Sequence, residues 1–146
     1  MRFWRLARRG FSALDGYGAH LYGGRWNHPG LAVVYCAEHL SLAVLEVLVH
    51  LEVDPEEFPD DYVKVPIDLP RSIKLDRIGS LPNDLEETRD LGSQWFRSAK
   101  TVGLLVPSVV VHEEHNLLLN PEHRDFLRLN IQEAQPFRFD PRLSPP

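Results

Sequence analysis

Residues Leu40–Leu51 make up the longest strongly apolar run of the chain, and it carries Glu46 and His50 inside it. Leu40, Ala43, Val44, Val47, Leu48 and Leu51 recur at helical spacing. Leu42, Leu45 and Val49 cover much of the remaining circumference, which predicts a helix from about His39 to Leu51. A helix apolar on nearly all sides belongs at the centre of a domain. The run is too short to cross a bilayer. At about 100° per residue, His39, Glu46 and His50 fall on one stripe beside Ala43. That stripe has to meet water, a ligand or a polar partner.

The segments around this helix read mostly as strands. Met1–Ala7 reads as a first strand with Phe3 and Trp4 as its bulky members, Leu31–Cys36 is a short apolar run, and Leu104–Val111 is strand-like despite Pro107. Val63, Val65, Ile67 and Leu69 alternate with Tyr62, Lys64, Pro66 and Asp68. Pro66 implies an unpaired side or a bulge in that strand. Ile73–Ile78, Asn116–Asn120 and the stretch from 125 to 139 read as further strands. Asn83 or Asp84 is placed to cap a second helix reaching about Lys100, with Leu85, Leu91, Trp95 and Phe96 turned inwards. The acidic stretch Glu52–Asp61, with Pro55 and Pro59, reads as a loop. Strands and helices mix without regular alternation, so the expectation is an α+β fold with mixed, mainly antiparallel sheets and flanking helices.

With 146 residues, 43% of them hydrophobic and 25% charged, the chain suits one globular domain that needs no covalent staples. We expect that domain over residues 1–140, with a short proline-rich tail at 141–146. The net charge of −5 argues against a general nucleic-acid coat. It is unevenly spread: up to residue 31 there are five arginines against the single acid Asp15. A local anion site near the N-terminus is therefore compatible with an acidic protein. Cys36 is the only cysteine, so no intrachain disulfide can form and a reducing compartment is favoured. Arg2, Arg5, Arg8 and Arg9 interrupt any cleavable apolar signal, and we expect a cytoplasmic protein with no membrane association.

Function concentrates in the loop-rich stretch from 10 to 30, which holds six glycines. Within Gly23-Gly24-Arg25-Trp26-Asn27 the glycines permit close backbone approach, and Arg25 carries a planar charge suited to phosphate or carboxylate. The bland reading of Arg25 is half of a surface ion pair, and the flanking glycines and tryptophan favour the functional one. Trp26 is either a stacking face or a core anchor, and Tyr35 either a core tyrosine or a face for a flat heterocycle. Glu46 admits two explanations. It pairs with His50 one turn later, or it is a cleft carboxylate that stabilises a developing cation. Other chemistries find little support. His112, His115 and His123 with Glu113 and Glu114 could supply ligands, but no HExxH or cysteine pairing is present, so no metal is expected. No GxSxG, GxxxxGK[ST] or GxGxxG occurs, which removes the serine-hydrolase elbow, the P-loop and the Rossmann fingerprint.

Taken together, Gly23-Gly24-Arg25-Trp26-Asn27, Val33-Val34-Tyr35 with Ala37-Glu38, the Ala43–His50 helix with Glu46, Val106-Pro107-Ser108 and Asn116–Pro121 resemble the RES domain family. The likeness spans nearly the whole chain in order. The family takes its name from Arg, Glu and Ser, matched here by Arg25, Glu46 and Ser108. The resemblance implies an ADP-ribosyltransferase-like fold and a toxin of RES–Xre toxin–antitoxin pairs. Such a toxin degrades NAD at the nicotinamide–ribose bond, by hydrolysis or phosphorolysis, and arrests growth. NAD is then substrate, and no cofactor is expected.

On that resemblance Arg25 grips the NAD phosphates and Tyr35 packs on nicotinamide or positions its ribose. Glu46 stabilises the ribosyl cation or orients the acceptor, as a glycosidase carboxylate does. Ser108 hydrogen-bonds near Glu46 or the ribose, and Trp26 and Asn27 are further binding candidates. The implied partner is an Xre-type helix-turn-helix antitoxin, which contacts operator DNA in place of the toxin, with homo-oligomers expected inside the complex. Two alternatives stay open: ADP-ribosyl transfer to a protein target, and a non-catalytic nucleotide- or protein-binding module.

Overall fold

Strand-forming segments assemble into one eight-stranded sheet, seen in a computed structural model that describes residues 1–51 and 54–143. The strands are β1 (Arg2–Arg8), β2 (Val34–Ala37), β3 (Tyr62–Asp68), β4 (Leu75–Arg77), β5 (Gly103–Pro107), β6 (His115–Leu119), β7 (Asn130–Ile131) and β8 (Gln135–Pro136). The helices are α1 (Tyr17–Tyr22), α2 (Leu40–Leu48) and α3 (Leu85–Ser98). Sheet order is β4-β5-β6-β2-β1-β3-β7, with β8 also on β3. Every pairing is antiparallel except β4 with β5. The expected α+β class holds, with a single sheet in place of several.

Alternation along the strands sorts the core into two faces, because successive side chains point to opposite sides. Phe3, Val34, Cys36, Val65, Ile67, Leu117 and Leu119 fill one face. The other face carries two separate clusters. Leu6, Ala37 and Tyr62 pack under Leu42, Ala43 and Val44 of α2, whereas Val33, Leu104, Val106 and Leu118 pack with Trp26 and with Trp95 and Phe96 of α3.

Between those clusters the sheet opens. Strand β1 pairs with β3 along its whole length, from Arg2 with Asp68 to Arg8 with Tyr62. It meets β2 only at Trp4 with Ala37. Arg5 reaches across this seam, donating from Nη1 to the Tyr35 carbonyl at 3.1 Å and from Nη2 to the Phe11 carbonyl at 3.0 Å.

Several expectations need correction. Helix α2 is not central: it lies against β1 and β2 through Leu42, Ala43 and Val44, while Leu45 and Val49 are 39% and 56% exposed. The sheet covers only one side of so short a helix. Helix α3 starts where expected, with Asp84 accepting from the Glu87 amide at 2.8 Å, but Leu85 and Leu91 face outwards. Its buried stripe is Thr88, Gly92, Ser93, Trp95 and Phe96. The 125–139 stretch is mostly not strand, since a 3₁₀ turn takes Arg124–Arg128 and only β7 and β8 pair. Pro66 sits in the break between them: β8 pairs Val63 and Lys64, β7 pairs Ile67 and Asp68, and the missing N–H falls between. The expected acidic loop is seen from Asp54, with a 3₁₀ turn at Pro55–Glu57, and the tail through a turn at Pro141–Leu143. Residues 52, 53 and 144–146 lie outside the described residues.

Candidate active site

The Gly23–Asn27 loop is shaped by contacts that allow no side chain at Gly24. Gly23 has φ of 73°, a left-handed conformation that favours glycine. Gly24 and Asn27 then pair across a tight turn, the Gly24 amide donating to the Asn27 carbonyl at 3.0 Å. A Cβ on Gly24 would stand 2.5 Å from the Tyr35 hydroxyl. That hydroxyl donates to Asn27 Oδ1 at 2.6 Å and accepts from the Trp26 amide at 3.0 Å. Burial pushes the Tyr35 phenol well above its usual range, so it stays protonated and keeps its role as donor.

Asn27 is fully buried, and its amide donates to the carbonyls of Ala19, His28 and Leu31. Trp26 is 2% exposed and belongs to the core, although an edge of it reaches the cleft. Arg25 alone of this loop projects as an exposed charge, and among the described residues it makes no ion pair or side-chain hydrogen bond.

Helix α3 clamps the same loop from behind. Arg89 Nε donates to the Gly24 carbonyl at 3.2 Å, and the His28 amide donates to Ser93 Oγ at 3.0 Å. Gly92 lies so close that a Cβ there would stand 1.8 Å from the Trp26 carbonyl oxygen. The sequence reading did not single out Arg89, Gly92 or Ser93. Their signal was present, because a Gly-Ser pair inside a helix is a poor helix former unless a neighbour must come close.

Glu46 stands across the seam, half-buried on α2. Two donors converge on one of its oxygens: Ser108 Oγ at 2.7 Å and Asn116 Nδ2 at 2.8 Å, both to Oε1. Oε2 accepts no hydrogen bond among the described residues. His50 does not pair with Glu46, as the i,i+4 reading expected. The α-helix ends at Leu48, and the His50 amide bonds to the Val47 carbonyl instead of continuing the ladder. Ser108 is fully buried behind the carboxylate and forms no part of the cleft wall.

The cleft has a volume of about 560 Å³, within the usual range for small-molecule sites. Trp4–Leu6 of β1 and Tyr35–Ala37 of β2 both line it with consecutive residues. Consecutive residues of two neighbouring strands share one cavity only where the strands part, so the open seam makes the cleft. Arg25, Glu46, His50 and Asn116 complete the polar wall. Of the residues expected at the site, Arg25, Trp26, Tyr35 and Glu46 line the cleft, whereas Asn27 and Ser108 stand behind it.

Two clusters of metal-capable groups occur among the described residues, His28 with Glu86 and Asp90, and Glu38 with His39 and Glu114; none of the six lines the cleft. The histidines weighed from sequence do not converge: His123 caps a turn by accepting from the Asp125 amide, and His115 contacts Arg77. Among the described residues no helix is long and apolar enough to cross a membrane.

The sequence profile of the RES domain matches residues 2–140. The chain belongs to the RES domain family. It is 40% identical over 158 residues to Toxin Res of Yersinia enterocolitica, covering 98% of this chain and 99% of that protein. It is 38% identical over 155 residues to the Prs ADP-ribosylating toxin of Sphingobium sp., covering 97% and 95%. This RES domain also superposes on a chain of the crystal structure of the M. tuberculosis MbcT–MbcA toxin–antitoxin complex, with a TM-score of 0.76 at 18% identity over 93% of this chain and 83% of that one. The last likeness is one of fold.

Proposed function

We propose that this RES domain is the toxin of a toxin–antitoxin pair and cleaves the nicotinamide–ribose bond of NAD. One observation carries the reading. Glu46 is fixed through Oε1 by Ser108 and Asn116, with Oε2 left for a ligand, on the wall of a cleft that also holds Arg25. A preorganised carboxylate is what a ribosyl cation needs, since it faces the developing charge without reorganising. As the bond from C1′ to the pyridine nitrogen breaks, nicotinamide leaves as a neutral base. The cation is captured by an oxygen of water, which then loses a proton, or by an oxygen of phosphate. Arg25, which has no side-chain partner among the described residues, binds the dinucleotide phosphates. Tyr35 presents its ring to the cleft while its hydroxyl holds the loop, and Trp26 gives the loop its anchor.

The relatives support the toxin role by their names, and the MbcT–MbcA complex supports an antitoxin partner, which we take to be of the Xre helix-turn-helix type. That reading puts the protein in the cytoplasm with its substrate. The test is release of nicotinamide from NAD by antitoxin-free protein, with and without added phosphate. Glu46→Gln should fold normally and lose about 10²–10³ in rate. Undiminished turnover by that variant refutes the role. The Sphingobium relative's name favours a second reading, transfer of ADP-ribose to a protein. Labelled NAD separates the two, because label on a protein band marks transfer and free labelled ADP-ribose or its phosphate marks degradation.

A further inference from the structure

Asn116 belongs to the cleft wall, yet neither its place in β6 nor its bond to Glu46 uses all of it. Its backbone is registered on both sides, with Ala37 of β2 and Val106 of β5, so the side chain starts from a fixed base. Only the amide end can donate to a carboxylate, so the bond from Nδ2 to Glu46 Oε1 fixes which way the group is turned. Oδ1 is left as an acceptor with no partner among the described residues.

Nor is that oxygen sealed away. Among the described residues the only buried side-chain polar atom without a partner is Arg5 Nε. Asn116 Oδ1 and Glu46 Oε2 are therefore both accessible, and both residues line the same cleft. One hydrogen-bond network thus offers the ligand two acceptors, beside the second N–H of the same Asn116 amide. The complementary chemistry is a pair of hydroxyl donors on adjacent carbons, the vicinal diol of a ribose.

We infer that Asn116 is a specificity-determining residue: its Oδ1 accepts from one ribose hydroxyl of the bound dinucleotide while Glu46 Oε2 takes the neighbouring one. This rests on the NAD reading above. The site thereby selects a ribose over a deoxyribose by using an amide that the carboxylate has already oriented.

The test compares kcat/KM for NAD and for analogues lacking the 2′- or the 3′-hydroxyl of the nicotinamide ribose. Wild type should disfavour each analogue by about 10-fold or more. Asn116→Ala should abolish the discrimination at one hydroxyl and keep it at the other. Asn116→Ser, measured alongside, covers the case in which the alanine variant does not fold. Ser108→Ala is the control for mere positioning, because Ser108 is buried away from the cleft and should lower all three substrates alike. If a folded Asn116 variant loses the same factor on all three substrates, or keeps both discriminations, the inference is overturned while the NAD reading stands. If wild type leaves NAD intact, both fall together.

Discussion

Ser108 gives its single proton to Glu46. Its Oγ lies 2.7 Å from Oε1, and the same oxygen accepts from the amides of Val110 at 3.0 Å and Val111 at 3.1 Å. A hydroxyl has one donor and two acceptor positions, so all three are occupied and the proton cannot turn elsewhere. Ser108→Ala leaves two amides without a partner and removes one of the two donors to Glu46 Oε1. We expect a loss of about 1–3 kcal/mol in urea unfolding. NAD turnover should show a fall in kcat with little change in KM, because the residue orients the carboxylate without touching the ligand.

Gly24→Ala tests the opposite wall. The added Cβ would meet the Tyr35 hydroxyl at 2.5 Å and Asn27 Oδ1 at 3.0 Å, and both atoms are pinned by their mutual hydrogen bond. The loop has to move, carrying Arg25 with it. We expect about 1–3 kcal/mol of destabilisation and a raised KM for NAD. A thermal melt and a substrate titration of the purified variant measure the two effects.

Asn27→Asp keeps the shape of the side chain and reverses its hydrogen bonding. Three carbonyls that now receive an amide would face a carboxylate instead. Buried like this, it should cost more than about 3 kcal/mol, against less for Asn27→Ala, which removes the donor without adding charge. Chemical denaturation of both variants gives the order, and an aspartate variant as stable as the alanine one would sink the account.

Cys36 predicts an alkaline limit to stability. Burial pushes its thiol from the ordinary 9.0 up to about 12, with nearby Arg5 pulling weakly the other way. The Tyr35 phenol is shifted upwards by burial in the same direction. A folded pKa above the unfolded one means the unfolded chain loses its proton first. Stability is therefore whole below the unfolded value near 9.0 and falls as pH climbs towards about 12. Thermal midpoints measured across that window should drop, and Cys36→Ala should flatten the slope. At neutral pH the native thiol should resist alkylation and react once the chain is unfolded.

Local pattern revealed much of this molecule. Alternation in Val63–Leu69 located β3, the capping choice of Asn83 or Asp84 located the start of α3, and the Gly-Gly pair located a turn that needs bare backbone. What escaped was long-range. Glu46 is apolar helix's odd member by sequence, and His50 is its nearest partner along the chain. Its actual partners lie 62 and 70 residues away, one just past the end of β5 and one on β6, brought near by a strand pairing that no period encodes. The same holds for Leu45 and Val49, which match the apolar pattern of α2 but lie on its outer side, because the sheet passes beneath only one flank. Asn27 and Ser108 were legible as members of the site and not as internal struts, since burial is a property of the finished fold.

Strand β6 sits between β5 and β2, and it brings Asn116 into place next to Glu46. A ribosome that has finished Arg25, Tyr35 and Glu46 has therefore still not made an active site. Until Leu119 emerges, the nascent polypeptide has its two half-sheets without the strand that joins them. A chain encoded in this order lacks an assembled cleft for most of its own translation.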